Sequence, residues 1–424
     1  MSSPPYGWYG DDFTGATDTL AELARRGMRA MLFLSLPEPA RLNRAGPLDA
    51  IGIAGASRTM APAEMTAELE PVGRFMRDAG IRLLHYKCCS TFDSAPEMGS
   101  IGAAVGALRP FFVNPFRPIV GGQPNLGRYC LFGNIFAAAG TGGAVHRLDR
   151  HPTMRCHPVT PMAEADLRLH LAAQGLSVNG VPYPAYDLGE ASLDETLDML
   201  LAAVPDAVLL DLSREADLPV IGRLLRSRAA QAPLLAVGPS GVAQAWCADR
   251  DGQGEARAIR QEGGPVLVLA GSLSPVTRRQ VAEATAYRHL IADPARLAGD
   301  GTYAQGLVSE TCRLLDGGED VLIATEAPAG AALASGAVAR ATARLLGQVM
   351  RRRPVRRLGI AGGDTSSLGA RALDLWGLSY RGAIAPGVTL CQGHSDDPAL
   401  DGLEIMLKGG QMGGPDLLAR FRAS

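Results

Sequence analysis

Lysine is almost missing. Of the 41 basic residues in this 424-residue chain, two, Lys87 and Lys408, are lysine and the rest arginine. A compositional preference for arginine accounts for the imbalance, since on a solvated surface arginine does much of what lysine does; the question is why two positions kept an amine. Neither is followed by Ser or Thr, so the phosphate pattern G-x-x-x-x-G-K-[ST] cannot occur. Cysteine is sparse and odd in number: seven are scattered through the chain without a Cys-x-x-Cys pair, which excludes a disulfide framework and a zinc ribbon and leaves reduced thiols. No run of 18 apolar residues exists to span a bilayer. A formal net charge of −2 gives no electrostatic footprint for nucleic acid. The N-terminus lacks a basic region followed by an apolar one, so the expected location is cytoplasmic.

What is present describes a globular chain with room for two to three domains: 47% apolar residues, 20% charged, and 51 glycines with 29 prolines that suit tight turns and close backbone approaches. Short apolar runs alternate with helical patterns, the mark of α/β architecture with mostly parallel sheets. Candidate strands are Ala50–Ala54, Leu83–Tyr86, Pro118–Gly121, Ala207–Leu212, Leu234–Val237, Val266–Ala270, Val321–Ala324, Leu358–Ala361 and Glu404–Leu407. Between Trp246 and Gly264 the sequence turns polar and Gly-rich, then a strand begins afresh. We therefore expect two α/β domains, residues 1–245 and 265–424, joined by a linker at 246–264. The basic run Arg351–Arg357 reads as the cationic end of a helix stopped by Pro354.

Three segments carry chemistry. The first is Tyr9-Gly-Asp-Asp-Phe-Thr-Gly-Ala-Thr-Asp18, where a short strand ends at Gly10 and a helix opens. An Asp there caps a helix routinely; Asp11, Asp12 and Asp18 together with Thr14 go further and suit a polyol, a magnesium ion or a general base. The second, His85-Tyr-Lys-Cys-Cys-Ser-Thr-Phe-Asp-Ser94, lies at a strand's C-terminal end, where open α/β sheets meet ligands. Lys87 with Ser90, Thr91, Asp93 and Ser94 suits an anionic, hydroxylated ligand. The third is composite: Gly271-Ser-Leu-Ser274, Gly362-Gly-Asp-Thr-Ser-Ser367 and Lys408-Gly-Gly-Gln-Met-Gly-Gly414 each follow a strand, and two of them open helices whose free N–H groups can hold phosphate oxygens. Together they point to nucleotide phosphates, with Ser274 and Lys408 among the contacts. No G-x-G-x-x-G opens a helix after a strand, and the protein-kinase set, the G-x-S-x-G elbow and H-E-x-x-H are missing. His146, Asp149, His151, Cys156 and His157 cluster, but their spacing matches no compact zinc pattern, so structural or substrate-contacting roles are preferred and no metal is assigned.

Gly10–Asp18, with Gly362-Gly-Asp-Thr-Ser366 and Lys408-Gly-Gly-x-x-Gly413, resembles the four-carbon acid sugar kinase family over nearly the whole chain. The resemblance implies an N-terminal domain for a sugar acid, a C-terminal domain for ATP, and phosphoryl transfer across a cleft between them. It puts Ser272, Gly362, Gly363, Asp364, Thr365 and Gly410 near ATP, and Asp11, Asp12, Arg58, Lys87, Ser90 and Thr91 on the substrate side. Where many members read Asp-x-x-Ser-Arg and Lys-x-Asp-Ser-Thr-Leu-Arg-Gly, this chain has Gly55-Ala-Ser-Arg58 and Lys87-Cys-Cys-Ser-Thr-Phe-Asp-Ser94. That variant looks like the branch associated with RuBisCO-like proteins, whose substrate is a branched 3-oxo sugar acid such as 3-oxo-isoapionate.

The expected reaction is ATP- and Mg²⁺-dependent phosphorylation of a primary hydroxyl, with Asp12 or Asp11 as base and Lys87 and Arg58 on the substrate carboxylate. A non-catalytic sugar-acid sensor is the alternative, and three phosphate-type loops argue against it. The sequence leaves a homodimer open.

Overall fold

The computed structural model describes residues 5–140, 142–157, 159–250, 263–271, 274–326, 335–410 and 412–424, the side chains of Ser335, Gly336 and Asp364 excepted. It divides into two compact units, one of residues up to Met31 and from Ser35 to Glu255, the other of Leu32–Leu34 and Ala256–Ser424. Among the described residues no helix is long and apolar enough to cross a membrane.

Chain order gives β1 (Tyr6–Gly10), β2 (Ala30–Phe33), β3 (Ala50–Ala54), β4 (Leu83–Lys87), β5 (Pro118–Gln123), β6 (Arg128–Leu131), β7 (Asn134–Ala138), β8 (Val145–Arg147), β9 (Val178–Val181), β10 (Ala207–Asp211) and β11 (Leu234–Gly238). The helices over the same stretch are α1 (Phe13–Arg25), α2 (Pro39–Ala45), α3 (Pro62–Asp78), α4 (Ile101–Leu108), α5 (Leu167–Ala172), α6 (Glu190–Ala202), α7 (Leu218–Gln231) and α8 (Gly241–Trp246). The first unit is built on a parallel sheet in the order β3-β1-β4-β11-β5-β10-β9. Strands such as Ala-Val-Leu-Leu-Asp in β10 and Leu-Leu-Ala-Val-Gly in β11 are buried along their whole length, which is why they read as continuous apolar runs rather than alternating ones. An antiparallel meander, β5-β6-β7-β8, extends from the upper end of β5.

The second unit contains β12 (Val266–Ala270), β13 (Arg288–Ala292), β14 (Val321–Thr325), β15 (Arg357–Ala361), β16 (Gly377–Ala385), β17 (Val388–His394) and β18 (Glu404–Lys408), with α9 (Pro275–Glu283), α10 (Pro294–Gly299), α11 (Gly301–Asp316), α12 (Ser335–Arg352), α13 (Gly363–Arg371) and α14 (Leu417–Ala423). Its sheet runs β13-β14-β12-β15-β18 in parallel and continues antiparallel through β17 and β16. The end of β2 completes the edge: Phe33 and Leu32 pair with Gly377 and Leu378, and the Phe33 ring stacks on Trp376. The expected N-terminal domain was contiguous; these three residues instead supply an edge strand to the second sheet. Trp246 and Cys247, expected in the linker, are buried in the first unit, and 251–262 lie outside the described residues. The helix opened by the Gly362–Ser367 loop ends at Arg371, and Pro354 does follow the basic end of α12.

Candidate active site

In the first unit the parallel register brings the ends of three strands level. Gly10 at the end of β1 lies beside Ala54 of β3 and Lys87 of β4. The ladder continues one residue past the strands: Asp11 N donates to Lys87 O at 2.9 Å, Gly55 N to Gly10 O at 2.9 Å, and Cys88 N to Gly238 O at 3.0 Å. Loops that leave the sheet at one level are thereby tied together, and the side chains they carry converge.

Asp12 is the N-cap of α1, its Oδ1 accepting from Gly15 N. Its Oδ2 pairs with Arg58 Nη1. Asp11 is buried and takes the other two guanidinium nitrogens, Arg58 Nε at 3.1 Å and Nη2 at 2.7 Å. Lys87 is buried and donates to Cys88 O at 2.7 Å. A Cβ on Gly15 would lie 2.7 Å from Lys87 Nζ and 2.9 Å from Asp12 Oδ1, so a small residue is needed where the amine passes the carboxylate. Burial raises the Asp11 carboxyl despite Arg58. For Asp12 burial acts the same way, but Arg58, Lys87 and the Gly15 N–H outweigh it and hold the group below the ordinary carboxylate range. Arg58 was expected to hold the substrate carboxylate. Its Nε, Nη1 and Nη2 face Asp11 and Asp12 instead, so its observed contacts position the two acids.

Of the other expected substrate residues, Asp18 accepts from Gln123 Nε2 at 3.0 Å. The Thr14 hydroxyl is buried and has no partner among the described residues. In the loop after β4, Thr91 donates to Asp93, and Ser94 bonds to His170 Nε2 at 2.9 Å and accepts from Gln174 at 2.8 Å. Ser90 is half-buried. Phe92, fully buried, adopts φ 53, a left-handed conformation unusual for a bulky residue and one that tends to persist where surrounding structure enforces it, often at sites. The His146–His157 cluster is occupied locally: His151 Nδ1 accepts from Thr153 and Met154 N–H, His157 Nδ1 from Thr160 N, and Asp149 pairs with Arg147.

The second unit repeats the construction. Ala270, Ala361 and Lys408, the last residues of β12, β15 and β18, are register partners. Gly271 N donates to Ala361 O and Gly362 N to Lys408 O, both at 3.0 Å. The three loops singled out in the sequence thus leave the sheet side by side. Gly362 sits at φ 126, a conformation open to glycine, and turns the chain into α13, whose first N–H groups, lacking acceptors within the helix, can meet an anion. Thr365 packs so closely on Gly271 that a Cβ there would lie 2.2 Å from its Oγ1. Ser274 caps α9 through Thr277 N and also donates to Gly410 O, as does Thr277 at 3.0 Å, so that α9 and the Lys408 loop are locked together. Lys408 is fully buried, donates to Thr277 Oγ1 at 2.8 Å, and is pushed down to about 8 by burial. Gly363 has open space around its Cα. Ser272 and the Asp364 side chain lie outside the described residues. Thr277, not among the expected site residues, joins Lys408 to Gly410 through its hydroxyl; its position two residues after Pro275 on a helix start was the available signal.

Comparison with known proteins finds two family matches in order along the chain. A sugar-binding N-terminal domain family matches residues 6–246 and a nucleotide-binding C-terminal domain family residues 267–418. The chain is 36% identical to the 3-oxo-isoapionate kinase of Paraburkholderia graminis over 96% of its own length and 91% of that protein. It is 32% identical to the 3-oxo-tetronate kinase of Methylobacterium radiotolerans, covering 98% and 97% of the two chains. A solved structure from Salmonella typhimurium LT2 superposes with a TM-score of 0.80 at 25% identity over 98% of each chain, and one from Haemophilus influenzae shares the fold at 0.73. With both domains matched in order and full-length kinases this similar, the chain belongs to the four-carbon acid sugar kinase family.

Proposed function

We propose that this ATP-dependent sugar-acid kinase transfers the γ-phosphoryl group of ATP to a primary hydroxyl of a branched 3-oxo sugar acid, residues 1–245 holding the acid and 265–424 the nucleotide. The observation that carries the reading is the convergence of Asp11, Asp12, Arg58 and Lys87 at one level of the first sheet. Phosphoryl transfer asks mainly for positioning and charge stabilisation, so one base and several donors suffice. Asp12, the more exposed of the two acids, takes the hydroxyl proton, and Arg58 fixes its rotamer. Asp11, held bidentate, keeps Arg58 in place. Lys87, beside Asp12, balances the charge that grows as the hydroxyl is deprotonated.

On the nucleotide side, the tight Gly271 and Gly362 turns, the start of α13 and buried Lys408 suit phosphate oxygens, which need close backbone approach and a cation. Magnesium brought in with the nucleotide would supply further neutralisation.

The branched acceptor is favoured by the name of the Paraburkholderia relative and by the Lys87–Ser94 sequence, which lacks the acid and arginine common in the family. Coupled ADP release over 3-oxo-isoapionate, 3-oxo-tetronate, threonate and erythronate tests it. We expect the highest kcat/KM with the branched 3-oxo acid; preference for threonate would overturn the acceptor assignment.

A further inference from the structure

The expected carboxylate receptor, Arg58, is committed to two acids, and this leaves open which cation meets the substrate's own charge. Arg128 answers that description. It opens β6 directly across from Gln123 of β5, and directly opposed residues of an antiparallel pair present their side chains on one face. Gln123 reaches Asp18 of α1 from that face, and Asn125 in the intervening turn donates to Glu22 of the same helix at 3.3 Å. Arg128 therefore lies on the side of the sheet that carries the Gly10–Asp18 segment.

Its guanidinium is largely unspent. Nη1 donates to Leu126 O within its own turn, whereas Nε is buried and has no partner. Arg128 forms no ion pair with any described carboxylate, although the Asp93 carboxylate of the substrate loop is among the groups that act on its charge. Asp93 is equally isolated: it is buried, accepts from Thr91, and pairs with no cation among the described residues. His151, buried and under the influence of both, has its ring nitrogens engaged with Thr153, Met154 and Ala138, so it bridges neither. Charges removed from water are normally paired. Here a partly buried cation and a buried acid each go without an ion-pair partner among the described residues, and the Thr14 hydroxyl, also without a partner among them, lies on the same helix that Gln123 contacts.

We propose that Arg128 receives the carboxylate of the sugar acid and that Asp93 accepts hydroxyls of the same molecule. This rests on the sugar-acid reading and adds a specificity-determining residue to it. A guanidinium offers two parallel donors to a carboxylate, which a neutral analogue cannot use equally.

The test titrates wild type, Arg128→Gln and Arg128→Lys calorimetrically with 3-oxo-isoapionate and with its methyl ester, and measures coupled ADP release alongside. Arg128→Gln should weaken binding of the acid by about 30-fold and raise its KM in step with little change in kcat, from the loss of a charge-assisted contact. It should leave the ester nearly unaffected, and Arg128→Lys should recover part of the loss. An unchanged denaturant midpoint and slope certify that the variants are folded. Acid binding that survives Arg128→Gln, or acid and ester weakened equally, overturns the proposal. If wild type binds the acid yet releases no ADP, the phosphoryl-transfer reading fails while Arg128 is still judged by the titration; if wild type binds neither acid nor ester, the Arg128 proposal falls as well.

Discussion

The two lysines sit in matching positions of different sheets. Lys87 ends β4 and Lys408 ends β18; both are buried, and each belongs to a set of loops knitted together one residue beyond the strands. Their surroundings differ. Lys87 lies beside an assembled ion network of Asp11, Asp12 and Arg58, so the charges of the proposed acid-handling site are largely balanced within the chain. Lys408 faces a hydroxyl, and burial has weakened its hold on the proton. One site is organised around a fixed pair of acids, the other around a buried cation bonded to a hydroxyl, where we propose that nucleotide phosphates bind.

Removing the proposed base should break the first site most. Asp12→Asn should lower kcat by roughly 10²–10⁴-fold, the usual contribution of a positioned base, with ATP affinity retained; steady-state kinetics with ATP titration decides it, and full turnover would remove Asp12 from that role. Arg58→Gln leaves Asp11 buried and uncompensated, so it should cost about 3 kcal/mol of stability, read from a denaturant midpoint at constant slope. Gly271→Ala forces a Cβ against Thr365 and should cost about 1–3 kcal/mol while raising the KM for ATP more than that for the acid.

The smallest effect is in pH. Lys408 carries its proton below about 8 and loses it above, so its attraction for phosphates is present below that value and fades as pH rises through it. The KM for ATP should then climb above about pH 8, and Lys408→Arg should flatten the climb. The stability sign is opposite. Because burial lowers this pKa from 10.5, the unfolded chain binds more protons between about 8 and 10.5, and this group's contribution to stability rises with pH over that window.

Much of this was legible in the sequence because parallel strands buried on both faces leave unbroken apolar runs. The nine strands expected, from Ala50–Ala54 to Glu404–Leu407, are all present within a residue or two. Strands lying at edges or in hairpins were missed. β16 and β17 mix Ser, Arg, Gly and Gln with their apolar residues, and the Pro386-Gly387 turn, with Gly387 at φ 70, was their clearest signal. β6 and β7 turn at Phe132-Gly133, both at positive φ, and a phenylalanine in that position gives no warning. Arg128 was invisible for the same reason: among so many arginines nothing marks one whose importance comes from its register with Gln123. The glycine-rich loops were legible, but that Asp12 also caps α1 and that Arg58 is shared between two acids are facts of geometry.

Charge-preserving exchange of the two amines tests the division of labour most directly. Steady-state kinetics of Lys87→Arg and Lys408→Arg, each measured against the sugar acid and against ATP, should separate cleanly: Lys87→Arg impairs kcat/KM for the acid with the KM for ATP unchanged, and Lys408→Arg does the reverse. If either variant alters both substrates alike, or neither variant alters anything, the assignment of acid handling to the first unit and nucleotide handling to the second is contradicted.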